Sequence, residues 1–144
     1  MSDFALNALE AWKRYEDTSA FWNPLATTRK TEGSWDFNEA GVQNYPDRNT
    51  GIKATVKTLG LQSYEAIREI LRGESFDREG IKEALIKWSG SSLYILSLLK
   101  EWENLWNKWY EKVNNRLRYL LEIENSYRYP DYLLDPRYLG TVTR

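Results

Sequence analysis

A long stretch of regularly spaced apolar residues in the C-terminal part of the chain limits what this sequence can fold into. Between Ser91 and Tyr127 there is no proline, and apolar side chains recur every three or four residues. They are Ile95, Leu98, Leu99, Trp102, Leu105, Trp106, Trp109, Val113, Leu117, Leu120 and Leu121. The spacing predicts one amphipathic helix of about 35 residues, roughly 50 Å long. Because that exceeds the width of a domain built from the rest of the chain, we expect part of it to pack against a partner.

The rest of the chain divides into shorter predicted elements. Apolar residues at helical spacing predict a first helix that ends near Glu16. An irregular loop runs to about residue 34, and two short strands around "NEAG" form a hairpin. Three short helices follow up to residue 92, the second capped by Ser63. The fold class is therefore mainly α, with a small hairpin between the first helix and a bundle of short helices.

The prediction divides the chain into three parts. Residues 1–92 form the main domain, 93–128 form the long amphipathic helix, and 129–144 form an extended tail that docks on a surface. The sequence from Tyr127 onward holds two prolines and four tyrosines, which disfavour a continued helix. Residues 93–144 are candidates for contacts with a second copy of the chain or with other subunits.

The composition excludes several classes of chemistry. The 144 residues include no cysteine and no histidine, which rules out thiol nucleophiles, Ser-His-Asp triads and zinc held by His or Cys. Carboxylates, tyrosines, lysines and hydroxyls remain for catalysis, and we expect no metal and no cofactor.

The charge pattern argues against nucleic acid as a partner. Twenty basic and twenty-one acidic side chains are interspersed, with a formal net charge of -1. A helical nucleic-acid-binding protein using Arg116, Arg118, Arg128 and Arg137 ranks last, because acidic residues lie among them. The N-terminus does not have a signal-peptide pattern, and no stretch reaches the roughly 18 apolar residues of a membrane span. We therefore expect neither conventional secretion nor a membrane partner.

Glu16 is the first candidate for chemistry. It lies where the first helix meets the irregular loop, close in sequence to Trp and Tyr residues. A carboxyl against aromatic surface loses hydration, so its pKa rises and it stays protonated for use as a general acid. From its spacing alone, a Glu in the last turn of a helix is more often a solvated surface residue.

Three linked motifs carry a resemblance to a known family. "NPLATT" at 23–28, "FNEAGVQNYP" at 37–46 and "GIKATVKTL" at 51–59 occur in this order and at close spacing. They resemble the lysozyme-like domains of endolysins and tail-associated peptidoglycan hydrolases of actinobacterial phages. The resemblance covers about residues 4–92.

The resemblance implies a lysozyme-superfamily fold. The acid catalyst of that fold ends the first helix, a position that Glu16 matches, and a small sheet walls a sugar-binding groove. The implied activity is cleavage of the MurNAc-GlcNAc bond of peptidoglycan, by a lysozyme or a lytic transglycosylase. The protein would act from a virion, or from the host cytoplasm after holin-dependent release. The alternative is a non-catalytic virion structural protein on the same scaffold. The family usually has Gly after the catalytic Glu, whereas this chain has Asp17, which would raise the pKa of Glu16 further if both faced the groove.

Glycoside hydrolysis usually needs a second carboxylate. We prefer Asp36 on the hairpin over Glu39 and Glu32, although a surface charge is an equally good interpretation of Asp36. Substrate-binding candidates come from the loop and the hairpin: Asn23, Thr27, Thr28, Trp35, Asn38 and Tyr45. A threonine after a turn is also a common helix cap. Trp22, Trp35 and Tyr45 fit sugar stacking and core packing equally well, whereas we assign Trp102, Trp106 and Trp109 to packing.

Overall fold

The computed structural model of the protein describes residues 1–128. It is mainly helical with one small antiparallel sheet, as the sequence predicts. The elements are α1 (Asp3–Glu16), β1 (Trp35–Asp36), β2 (Gln43–Asn44), α2 (Arg48–Leu59), α3 (Glu65–Leu71), α4 (Arg78–Ser89) and α5 (Ile95–Arg128). Contacts divide the chain into two units, the first comprising Met1–Trp106 and the second beginning at Asn107.

Helix α1 contributes one buried face to the core of the first unit. Its N-terminus is capped by Ser2, whose hydroxyl accepts a hydrogen bond from the Ala5 amide at 3.1 Å. Its inward face comprises Phe4, Ala5, Ala8, Ala11 and Trp12, all buried. The small alanines let neighbouring helices approach closely.

The loop and hairpin after α1 are stabilised by side chains that bond to the backbone. Trp35 pairs with Asn44 and Asp36 pairs with Gln43. The turn between the strands is closed by Asn38, whose side-chain oxygen accepts a hydrogen bond from the Val42 amide at 3.1 Å. The predicted hairpin is therefore confirmed.

Three short helices complete the first unit. Asp47 and Asp77 cap α2 and α4 by accepting backbone hydrogen bonds in the first turn. The predicted Ser63 cap is wrong, because residues Gln62–Tyr64 form a turn of 3₁₀ helix and α3 has no side-chain cap. The Ser63 hydroxyl instead accepts a hydrogen bond from Lys87 at 2.7 Å.

The long helix α5 matches the predicted span and belongs to both units. In the first unit Ile95, Leu98, Leu99 and Trp102 are fully buried. The Trp102 indole donates a hydrogen bond to the Ala8 carbonyl at 2.9 Å, which ties α5 to α1. Packing of Trp102 and Trp106 is confirmed. In the second unit the side chains of residues 115–126 are exposed. The predicted tail, 129–144, lies outside the described residues.

Candidate functional site

The Glu16 carboxyl is partly buried at the C-terminal end of α1 and accepts two hydrogen bonds on one oxygen. The Trp12 indole N–H donates to Oε1 at 3.2 Å. The Tyr94 hydroxyl donates to the same Oε1. Among the described residues no hydrogen bond to Oε2 is found. When the carboxyl is protonated, Oε1 is thus the accepting oxygen and Oε2 is left to carry the proton.

Burial raises the pKa of Glu16 above its ordinary value, and the hydrogen bonds from Tyr94 and Trp12 oppose that rise only in part. No charged neighbour contributes to this shift. The expected contribution of Asp17 is absent. The carboxyl thus has the property that a general acid needs, and it owes this property to desolvation.

Tyr94 was not identified from the sequence. It lies 78 residues from Glu16, just before α5, and no local pattern marks it. The ring stacks on Tyr15 with centroids 5.8 Å apart and an interplanar angle of 21°. Its carbonyl accepts the Leu98 amide at 3.0 Å, in the first turn of α5. Burial, and then the hydrogen bond to Glu16, raise the pKa of Tyr94, so its hydroxyl remains a donor at neutral pH.

Asp17 closes α1 with a left-handed backbone, at φ 44° and ψ 46°. Its amide donates to the Lys13 carbonyl at 3.0 Å, and its side chain is exposed. Glycine adopts this conformation without steric cost, whereas a residue with a Cβ is strained there. The glycine that the resembled family has after its catalytic Glu is thus the residue that this backbone favours.

Of the three candidate second carboxylates, Asp36 is the one whose side chain is held by described contacts. It accepts a hydrogen bond at 2.6 Å from the amide of Gln43, a buried residue. Lys30 lies 4.0 Å away in an exposed ion pair. Glu32 and Glu39 are exposed and, within residues 1–128, have no hydrogen bond or ion pair through their side chains. No described contact links Glu16 to any of the three.

Three predicted substrate-binding residues lie in the interior of the first unit. The Asn23 side chain donates to the carbonyls of Thr27 and Gln43 at 2.9 and 2.7 Å, and accepts the Thr27 amide at 2.9 Å. The buried Tyr45 hydroxyl donates to the Arg29 carbonyl at 2.7 Å. We therefore assign Asn23, Thr27 and Tyr45 to the framework of the loop, where burial leaves no surface for a ligand.

The other three predicted substrate-binding residues lie at the surface. Thr28 and Asn38 are exposed, and Trp35 is 47% exposed. The Trp35 ring lies 6.2 Å from that of Phe21, which is 63% exposed. These two rings offer an apolar surface of the kind on which a sugar face stacks.

The sequence was also compared with known proteins. No protein-family model, no curated protein and no solved structure matched the chain. Within residues 1–128 no group of acidic side chains is arranged to hold a metal ion. In the same residues no helix is both long and apolar enough to cross a membrane.

Proposed function

We propose that this protein is a phage-type peptidoglycan glycosidase of the lysozyme class that cleaves the bond between MurNAc and GlcNAc. The observation that carries the proposal is the Glu16 carboxyl, partly buried and with its pKa raised by desolvation. The three motifs that resemble lysozyme-like phage domains support it, because Glu16 takes the position of their acid catalyst. The left-handed backbone at Asp17 also supports it, because the family has glycine, the residue that favours this conformation, after its catalytic Glu.

In the proposed mechanism Glu16 donates the proton on Oε2 to the glycosidic oxygen as the bond to the anomeric carbon breaks. The hydrogen bonds from Trp12 and Tyr94 to Oε1 orient the carboxyl and stabilise the carboxylate that proton transfer leaves behind. Asp36, held by the buried Gln43, is the proposed second carboxylate: it would attack the anomeric carbon, or take the proton of a water that attacks it, so that water becomes the new hydroxyl at that carbon. The exposed rings of Trp35 and Phe21 would bind a sugar face.

The test is turnover of purified cell wall by the wild type and by Glu16→Gln. We expect the variant to lose activity by about 10²- to 10⁴-fold, the usual contribution of a general acid. Glu83→Gln is the matched control, because Glu83 is exposed on α4 and has no described contact with Glu16, Trp12 or Tyr94. Equal turnover by wild type and Glu16→Gln would remove Glu16 from the mechanism.

The second candidate is a non-catalytic virion component built on the same scaffold. It is favoured by the exposed apolar side chains of α5 in the second unit, where Leu117, Leu120 and Leu121 are 51–59% exposed. Such a surface usually marks a contact with another chain. The solution mass and a search for the chain in purified particles test this candidate. A monomer that is absent from particles would exclude it.

A further inference from the structure

An apolar recess opens in the first unit, and of the residues considered above for sugar binding or catalysis only Trp22 lines it. It lies between α1, the loop that follows, and α2, and has a volume of about 520 Å³. Its wall includes Trp22, Ile52 and Val56, which are 53%, 43% and 62% exposed. Recesses of this size and apolar character are typical of ligand sites.

Trp22 in the wall has a strained backbone. Its φ of 53° is left-handed, a conformation that bulky residues rarely adopt. The loop is held at this point by the neighbouring Phe21, whose amide donates to the Asn44 side chain at 2.8 Å. Gly51 of α2 lies so close that a Cβ added there would be 2.0 Å from the Trp22 carbonyl oxygen. Such strain persists where surrounding contacts enforce it, and it is concentrated at ligand sites.

The recess is also lined by two basic side chains that have no acidic partner among the described residues. Lys13 and Arg48 line it, and within the described residues their side chains have no ion pair or hydrogen bond. Glu10 is the one acidic side chain in the lining, so the side chains of the lining have a net charge of one positive unit. An occupant with apolar parts and carboxylates would match both the wall and these cations.

The recess is lined by residues of α1 that lie within two turns of the proposed acid. Leu9 and Lys13 of α1 line it, and Glu16 follows Lys13 by three residues. Residues three apart on a helix are surface neighbours with Cβ atoms about 5–6 Å apart. A substrate whose glycosidic oxygen lies at Glu16 therefore has the recess within reach of its substituents.

Building on the proposed function, we propose that the recess is a subsite for the peptide stem of the MurNAc residue. That stem is a short peptide attached through a lactyl group, and it combines alanine methyl groups with free carboxylates. Trp22, Ile52 and Val56 would contact the methyl groups, and Lys13 and Arg48 would bind the carboxylates. The enzyme would thus distinguish peptide-bearing glycan from bare glycan.

The experiment compares kcat/KM on soluble glycan strands that carry peptides and on the same strands after an amidase has removed them. The wild type should prefer peptide-bearing strands by about tenfold, and Lys13→Met/Arg48→Met should lose that preference. Lys53→Met/Lys57→Met is the matched control, because it removes two exposed charges of α2 that do not line the recess. It should keep the preference.

Equal cleavage of both strands by the wild type, or a preference that survives Lys13→Met/Arg48→Met, would overturn the subsite and leave the glycosidase proposal intact. If the wild type cleaves neither strand, the glycosidase proposal fails instead. Calorimetric titration with the disaccharide, with and without its peptide, then measures whether the recess binds the peptide stem. Tighter binding of the peptide form that the double variant weakens about tenfold supports the subsite, and equal binding of the two forms rejects it.

Discussion

Replacing Asp17 by glycine should stabilise the protein. Asp17 ends α1 at φ 44° and ψ 46°, where a Cβ crowds the following carbonyl oxygen. Its side chain is exposed and, among the described residues, has no hydrogen bond or ion pair. Little is therefore lost when the side chain is removed. A negative charge at the C-terminal end of a helix is also unfavourable, and Asp17→Gly removes it.

The size of the effect follows from two opposing contributions. Relief of the left-handed strain contributes about 1–2 kcal/mol. The greater freedom of glycine in the unfolded chain takes back about 0.4–1 kcal/mol. At the midpoints of these ranges the net gain from the backbone is about 0.8 kcal/mol, which for a unit of this size raises Tm by about 3–5 °C, and removal of the charge adds to it.

Thermal unfolding followed by circular dichroism measures this difference. Asp17→Asn separates the effect of the charge on stability from the effect of the backbone strain, because it removes the charge and retains a Cβ. It should therefore give a smaller rise in Tm than Asp17→Gly. A Tm for Asp17→Gly at or below that of the wild type would refute the argument, since it would mean that relief of the left-handed backbone does not exceed the entropy that glycine adds to the unfolded chain.

Four further variants test the site and its framework. The raised pKa of Glu16 means that its contribution to stability is present below its unfolded pKa of about 4.5 and is lost as the pH rises through the folded pKa. Urea unfolding should therefore show Glu16→Gln gaining stability relative to wild type as the pH rises from about 4.5 through the folded pKa of Glu16, and a constant difference would contradict the pKa shift. Gly51→Ala should lower the free energy of unfolding by about 1–3 kcal/mol, because its Cβ would meet the Trp22 carbonyl, and an unchanged Tm would count against that contact. Asn23→Ala should cost about 3 kcal/mol through three lost buried hydrogen bonds. Trp35→Ala should cost only about 1 kcal/mol, because about half of its side chain is exposed, and should weaken glycan binding; equal thermal shifts for the two variants would reject this division.

Local sequence signals predicted most of the fold. Helix α1 ends at Glu16 and α5 spans nearly the expected residues, because apolar periodicity and the position of proline depend on nearby residues alone. The hairpin follows from its turn residues. Ser63 failed as a helix cap because a 3₁₀ turn placed its hydroxyl against Lys87 of α4, a contact that local sequence does not contain.

The candidate site was less predictable, because it depends on contacts between distant parts of the chain. The sequence identified Glu16 but not Tyr94, which reaches the carboxyl only because Trp102 packs α5 onto α1. Asn23 and Tyr45 looked like polar groups of an open loop. Burial of their side chains depends on how the loop folds against the hairpin and α2, so the sequence could not separate them from the exposed Trp35.

The central claim is that desolvation keeps the Glu16 carboxyl protonated above the pH at which an ordinary glutamate ionises. Carbon-13 NMR of glutamate-labelled protein, with the Glu16 carboxyl assigned by its absence in Glu16→Gln, measures this pKa directly. We expect the titration of the Glu16 carboxyl to have its midpoint clearly above the ordinary value of 4.5. A carboxyl that titrates at or below that value would contradict it, because the two hydrogen bonds would then outweigh burial and Glu16 would hold no proton to donate.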